Sequence, residues 1–125
     1  MYAEYGEEVE FLIVYIREAH PTDGRVSGGN TRAGINFKQP KTFDERQAVA
    51  KEMCTKLKVK IPAIIDNLDD KVGRDYSGMP DRLYLIGEDG KVVFKGARGP
   101  RGFKPEELEK EIILTLLGAL NSPEM

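Results

Sequence analysis

Runs of apolar residues separated by polar stretches predict four β-strands. Val9–Ile16 is an almost unbroken series of β-branched, aromatic and other apolar residues, which is typical of a strand covered on both faces, as in a parallel sheet. Ile61–Asp66 (IPAIID) is a second short buried strand. Arg82–Gly96 reads as two strands around a turn at Gly87–Gly90, where an Asp-Gly pair supplies the turn residues, and therefore predicts a β-hairpin.

Apolar positions three and four residues apart predict two helices. The first begins at Thr42, which has capping-box spacing to Glu45. Its apolar face is formed by Phe43, the stem of Arg46, Ala50, Cys54 and Leu57. The second begins at Pro105, and its apolar stripe is formed by Leu108, Ile112, Leu116 and Leu120. The first residues of the chain read as the last turn of a helix that ends at Gly6.

The order strand, helix, strand, hairpin, helix predicts one α/β domain over residues 1–125. A net charge of −2 gives no general attraction to nucleic acid or to anionic membranes, and we predict no nucleic-acid partner. Two loop-rich segments, Arg25–Lys41 and Lys91–Lys104, are locally basic. The longest apolar runs are too short to span a membrane. Localisation is unknown from the sequence, with the cytoplasm as the default and an upstream targeting segment left open.

The single cysteine, Cys54, excludes an internal disulfide, a CxxC redox pair and a cysteine metal cluster within the chain. Its place on the apolar face of a helix predicts a buried, unreactive thiol. The acidic segment Asp66–Asp70 lacks the spacing of a calcium loop and is interpreted as a solvated turn. We therefore expect no bound metal and no resident cofactor.

Four motifs in order along the chain are more specific than any of these features: YIREAHPTDG, QPKTFDER, PDRLYLI and GARGPRGFKPEELE. They resemble the iodothyronine deiodinase family, in particular its bacterial relatives. The resemblance implies a thioredoxin-like α/β fold with a mixed sheet and helices on both faces. It also implies an oxidoreductase that removes iodine from a phenolic substrate with a selenocysteine or cysteine nucleophile, with an external thiol as reductant.

The resemblance is incomplete at the N-terminus, where family members have a β-α-β unit that carries the nucleophile. The chain begins inside the helix that follows the nucleophile. In the thioredoxin-like arrangement the absent strand would lie in the centre of the sheet, so we expect two two-stranded pieces with exposed apolar edges and homo-oligomers through those edges. We also expect an in-frame UGA or cysteine codon about 10 to 20 codons upstream, the length of a typical helix.

The resemblance assigns roles to four residues. Glu18 and His20 match a Glu-x-His motif in which the imidazole holds or protonates the phenolic end of the substrate and the carboxylate belongs to a proton-handling network. Arg98 is expected to bind a substrate carboxylate, and Pro80 matches a proline that is usually cis in this fold. The alternatives are a surface histidine, a solvated carboxylate, a solvated basic loop and an ordinary turn proline.

Departures from the family leave the substrate open. Arg25 stands where many members have tryptophan. The animal enzymes also have a histidine near the start of the helix that begins here at Thr42, and the corresponding segment of this chain, KQPK, has none. A different halogenated phenol, a peroxide or a disulfide is also conceivable. Three functions therefore compete: a deiodinase-like oxidoreductase that lacks its nucleophile, a thiol-free module that binds an anionic small molecule through the two basic loops, and a fragment that completes its sheet with another chain.

Overall fold

The computed structural model of the protein describes residues 1–18 and 38–121. Its helices are α1 (Tyr2–Tyr5), α2 (Phe43–Lys56), α3 (Lys71–Asp75) and α4 (Pro105–Asn121). Its strands are β1 (Ile13–Tyr15), β2 (Ala63–Ile65), β3 (Tyr84–Ile86) and β4 (Val92–Lys95). The chain is therefore α/β, as predicted, and it divides into two compact units, Met1–Met79 and Pro80–Met125.

The first unit contains a parallel pair of strands. β1 and β2 pair from Ile13 opposite Ala63 to Tyr15 opposite Ile65. The connection between them includes α2, which packs against β2, because parallel neighbours need a crossover of this length. The Thr42 hydroxyl accepts the Glu45 N–H at 3.1 Å and caps the start of α2, as the capping-box spacing predicted.

The second unit is a hairpin covered by a helix. β3 and β4 pair antiparallel, with an irregularity in register between Leu85 and Ile86. The predicted Asp-Gly turn is confirmed: Gly90 has a φ of +81°, which glycine adopts without strain. α4 packs on both strands and buries Leu108 and Ile112, whereas the side chain of Leu120 lies outside the described part.

The strands are shorter and less covered than the sequence predicts. Val9 does not begin a strand, because its N–H donates to the Tyr5 carbonyl at 2.8 Å and continues the turn after α1. Leu12 is 54% exposed and Ile64 49% exposed, so the predicted cover on both faces is wrong for the first unit. Among the described residues α2 is the helix that packs on this pair of strands, and a single helix covers only one face. The expectation of two two-stranded sheets is confirmed within the described residues.

Candidate functional site

The carboxyl end of β1 brings a hydroxyl and a carboxylate into direct contact. The Tyr15 hydroxyl donates a hydrogen bond to the Glu18 carboxylate in a partly buried position. Burial is the main cause that raises the pKa of Tyr15 above its usual range, and the hydrogen bond and negative charge of Glu18 raise it further. The nearby positive charge of Arg46 lowers this pKa. Tyr15 therefore stays protonated and is held as a donor on a carboxylate.

The backbone of Glu18 is held in turn by the side chain of Gln39. The Glu18 N–H donates to Gln39 Oε1 at 3.0 Å, and Gln39 Nε2 donates to the Glu18 carbonyl at 2.9 Å. Glu18 is thus part of a polar cluster, and the alternative of a simply solvated carboxylate does not describe it. His20 follows two residues later in the sequence and lies outside the described residues, so its role stays a prediction.

The whole side chain of Arg46 is buried, including its charged guanidinium as well as its apolar stem. Its side chain is 3% exposed, and one guanidinium nitrogen pairs with Asp70 Oδ1 at 2.9 Å. The other terminal nitrogen donates to the carbonyls of Asn67, at 2.8 Å, and Asp66, at 3.3 Å. The helix pattern placed Arg46 correctly on the inner face of α2 but missed these partners, because they lie 20 to 24 residues away in the sequence.

Asp66 directly follows β2 and is 2% exposed. Its Oδ1 accepts N–H groups from Asn67 at 2.9 Å and Val72 at 3.0 Å, and its Oδ2 accepts the Gly73 N–H at 2.8 Å. The prediction of a solvated turn at Asp66–Asp70 is therefore wrong for both ends of that segment. A buried carboxylate needs partners, and three backbone amides supply them for Asp66. The carboxylate that pairs with the Arg46 guanidinium is that of Asp70, at the other end of the segment. Of the residues that the structure describes, no three form a group suited to hold a metal ion.

Cys54 is partly exposed, so the prediction of a fully buried thiol is wrong. It borders a shallow groove at the end of α2, which is otherwise lined by Lys51, Thr55, Lys58, Val59 and Lys60. The predicted apolar face of α2 is narrow, since of its five members only Arg46 and Ala50 are buried. Among the described residues that line this groove, none other than Cys54 has a side chain that takes part in thiol redox chemistry.

The second unit contains Pro80 and Arg98 on adjacent segments. The Gly99 N–H donates to the Asp81 carbonyl at 2.9 Å, and this bond brings the residue after Arg98 beside the residue after Pro80. The Arg98 side chain is exposed. The expectation that Pro80 follows a cis peptide bond is not met: in the described part of the chain the cis bond lies between Gly99 and Pro100. An ordinary trans bond is the commoner state, and nothing at Pro80 overrides it.

The structure therefore joins Glu18 to Tyr15 and Gln39 in the first unit and joins the segments of Pro80 and Arg98 in the second. Sequence reasoning missed Tyr15 and Gln39. A signal existed for Tyr15, because a tyrosine at the last position of a strand, three residues before a motif carboxylate, can point a hydroxyl toward the same edge.

Comparison with known families decides the affiliation. A family model described as iodothyronine deiodinase matches residues 1–113. The chain belongs to the iodothyronine deiodinase family. The family membership that the sequence motifs indicated is therefore confirmed.

Curated members of the deiodinase family align with most of the chain. A type I iodothyronine deiodinase of Xenopus laevis is 32% identical over 105 residues, which are 84% of this chain and 39% of that protein. A thyroxine 5-deiodinase of Sparus aurata is 32% identical over 123 residues, covering 96% of the chain and 43% of that protein. A thyroxine 5-deiodinase of Gallus gallus is 35% identical over 106 residues, which are 85% of this chain and 39% of that protein.

The chain thus spans about two fifths of the length of these deiodinase relatives. They are vertebrate proteins, so the expected similarity to bacterial members stays a prediction. Across the described ranges 1–18 and 38–121, every helix is too short or too polar to cross a membrane.

Proposed function

We propose that the chain is the part of a deiodinase-like oxidoreductase that handles protons and binds substrate, in a thioredoxin-like arrangement. The nucleophile, a selenolate or thiolate, attacks the iodine, so that a Se–I or S–I bond forms as the C–I bond breaks, and a proton bonds to the ring carbon. Two equivalents of an external thiol then release iodide and regenerate the nucleophile, and are themselves oxidised to a disulfide. In this proposal the nucleophile is not one of the 125 residues, whose single cysteine, Cys54, lies on α2. The proposal is supported by the family match and by the length of the relatives.

The observation that carries the proposal is the Tyr15–Glu18 pair at the carboxyl end of β1. Ligand sites in α/β proteins form beyond the carboxyl ends of parallel strands, and this pair lies at such an end. Its carboxylate, Glu18, stands two residues before His20 in the sequence. A carboxylate held in place by a hydroxyl donor can accept a hydrogen bond from an imidazole and favour its protonated form. In this proposal His20 protonates the phenolic end of the substrate, and Glu18 keeps His20 charged and oriented.

The other end of the substrate is assigned to Arg98. Its guanidinium is exposed, and its planar donors match a carboxylate. The hydrogen bond between Gly99 and Asp81 holds the adjacent backbone, which limits the loss of entropy on binding. Pro80 borders this segment and is proposed as part of the same binding surface.

The test is a restored protein, in which the nucleophile segment of a vertebrate relative, with cysteine as nucleophile, precedes residue 1. His20→Ala should lower kcat by about 100-fold, because it removes the proton donor. Arg98→Ala should raise KM for substrates with a carboxylate and leave kcat nearly unchanged. The control Lys110→Ala removes an exposed cation from α4, outside the basic segment Lys91–Lys104, and should leave the kinetics unchanged. If His20→Ala and Arg98→Ala both keep the parent kinetics, the proposed roles are wrong.

A second candidate is a thiol-free module that binds an anionic small molecule. It is favoured by one observation: all five cations of Lys91–Lys104 are exposed, namely Lys91, Lys95, Arg98, Arg101 and Lys104. Calorimetric titration of the 125-residue chain with iodinated and iodine-free phenolic carboxylates distinguishes this binding module from the deiodinase-like oxidoreductase. A binding module should be a folded monomer that binds both classes alike. A defined oligomer would favour the third alternative, completion of the sheet with another chain.

A further inference from the structure

We propose that Gln39 is a positioning residue, whose side-chain amide fixes the backbone of Glu18 and thereby holds the Glu18 carboxylate on the Tyr15 hydroxyl. Glu18 and Gln39 flank the segment 19–38, which contains His20. The amide therefore also ties together the two ends of that segment. The contacts exist whatever the reaction is, whereas their catalytic meaning rests on the proposed function.

A single primary amide satisfies both backbone groups of Glu18. Gln39 Oε1 accepts the Glu18 N–H at 3.0 Å, and Gln39 Nε2 donates to the Glu18 carbonyl at 2.9 Å. A neighbouring strand would make the same two bonds, but the pairing of β1 with β2 ends at Tyr15 and Ile65. Gln39 thus supplies, three residues beyond the end of that pairing, the two backbone bonds that the sheet does not give Glu18.

Gln39 can do this because its own backbone is restricted. Pro40 follows it and is buried, and a residue before proline is confined to extended conformations. Two residues later Thr42 caps α2. Less conformational entropy is therefore lost when the amide binds Glu18 than for a glutamine in a free loop.

Fixing this backbone matters because Glu18 follows the strand and is not in a helix, so nothing local directs its side chain. Once its N–H and carbonyl are held, the carboxylate lies on the hydroxyl three residues earlier. Without the amide, we expect Glu18 to turn toward water, which solvates a carboxylate well. Tyr15 would then lose the second and third causes of its raised pKa and keep the effect of burial.

The experiment uses the 125-residue chain with tyrosine labelled at Cζ, followed by NMR as the pH is raised, together with hydrogen exchange at the Glu18 amide. The Tyr15 signal is assigned with Tyr15→Phe. In Gln39→Ala, Tyr15 should begin to titrate at a lower pH than in the parent, and the Glu18 amide should exchange about tenfold faster. The matched control is Gln47→Ala, which removes an exposed glutamine from α2 and should change neither signal.

A second variant keeps the test decisive if Gln39→Ala does not fold. Gln39→Glu retains the length of the side chain and the acceptor for the Glu18 N–H, but as a carboxylate it has no donor for the Glu18 carbonyl. The Glu18 amide is the readout for this variant, because the added negative charge itself raises the pKa of Tyr15. That amide should exchange faster than in the parent but less so than in Gln39→Ala. If the Glu18 amide in the folded variants exchanges as in Gln47→Ala, Gln39 does not position Glu18 and the proposal is overturned.

The same variants separate this proposal from the proposed function. In the restored protein, Gln39→Ala should lower kcat with little change in KM. A restored parent without deiodinase activity would contradict the proposed function and leave the shift of Tyr15 as evidence for positioning. A loss of kcat without any shift of Tyr15 would contradict positioning.

Discussion

Replacing Arg46 by methionine should destabilise the first unit by about 3 kcal/mol. Methionine retains most of the apolar stem on the inner face of α2, so the change removes mainly the guanidinium. The side chain is 3% exposed, and water cannot readily take the place of the lost donors. The perturbation is thus close to a deletion of one buried charge.

The magnitude follows from the three bonds that Arg46 makes. Those to Asp70 Oδ1, at 2.9 Å, and to the Asn67 carbonyl, at 2.8 Å, are good, and the one to the Asp66 carbonyl, at 3.3 Å, is near the limit. Two hydrogen bonds from a charged donor contribute about 1.5–3 kcal/mol each. The gain from removing the Arg46 Nε, which is buried without a hydrogen-bond partner among the described residues, offsets about 1 kcal/mol. Asp70 is 25% exposed, so water can partly solvate its freed carboxylate.

The assay is hydrogen exchange of the Val72 and Gly73 amides, which bond to Asp66 and report on the first unit, combined with urea unfolding. Lys51→Met is the control, since it removes an exposed cation from the same helix. A double variant with Asp70→Asn should lose less than the sum of the single changes, because the two groups are paired. If Arg46→Met costs no more than Lys51→Met, the buried network does not stabilise this unit and the estimate is refuted.

Three further changes test other parts of the structure. Gly99→Ala should destabilise the second unit by about 1–3 kcal/mol in urea unfolding, because the new Cβ would lie 2.5 Å from Asp81 Cγ and closer still to Oδ1. The control is Gly118→Ala, whose new Cβ meets open space and should stabilise α4. The raised pKa of Tyr15 favours the protonated hydroxyl in the folded state, so its contribution is complete below about pH 10 and is lost as the pH rises further. Unfolding free energy should then fall with pH more steeply in the parent than in Tyr15→Phe, by at most about 1 kcal/mol per pH unit after allowance for solvent screening; equal slopes would contradict the shift. The 125-residue chain should show no deiodination with a thiol reductant, and turnover that Cys54→Ser abolishes would contradict this.

Local signals in the sequence predicted the helix starts and the hairpin. The Thr42 cap of α2 depends on residues within one turn, and the hairpin turn depends on Gly90 and on Asp89, whose carboxylate accepts the Lys91 N–H at 3.0 Å. These interactions form between neighbours in the chain, and their residue types reveal them. The four family motifs likewise predicted the affiliation correctly.

Strand ends and buried polar contacts could not be predicted in the same way. The length of β1 is set by its pairing with β2, not by the longer apolar run of Val9–Ile16. Arg46 fitted an apolar stripe by its stem, and its partner Asp70 fitted a solvated turn. A single sequence contains no information on which of several carboxylates meets a given arginine 24 residues away, whereas the fold decides it. A charged residue on an inner helix face together with aspartates after a strand is the signal that would have suggested a pair.

The polar groups of the first unit gather where its two parallel strands end, and this arrangement makes a final prediction on Tyr15. The Asp66 N–H donates to the Tyr15 carbonyl at 2.9 Å, so the end of β1 lies against the buried carboxylate after β2. Glu18→Gln removes a negative charge from the Tyr15 hydroxyl and should lower the pKa of Tyr15 in the NMR titration. Because burial is the larger cause, the pKa should stay above its usual value of about 10. A return to that value would show that Glu18 and not burial controls the hydroxyl, and no change at all would show that the two side chains do not meet in solution.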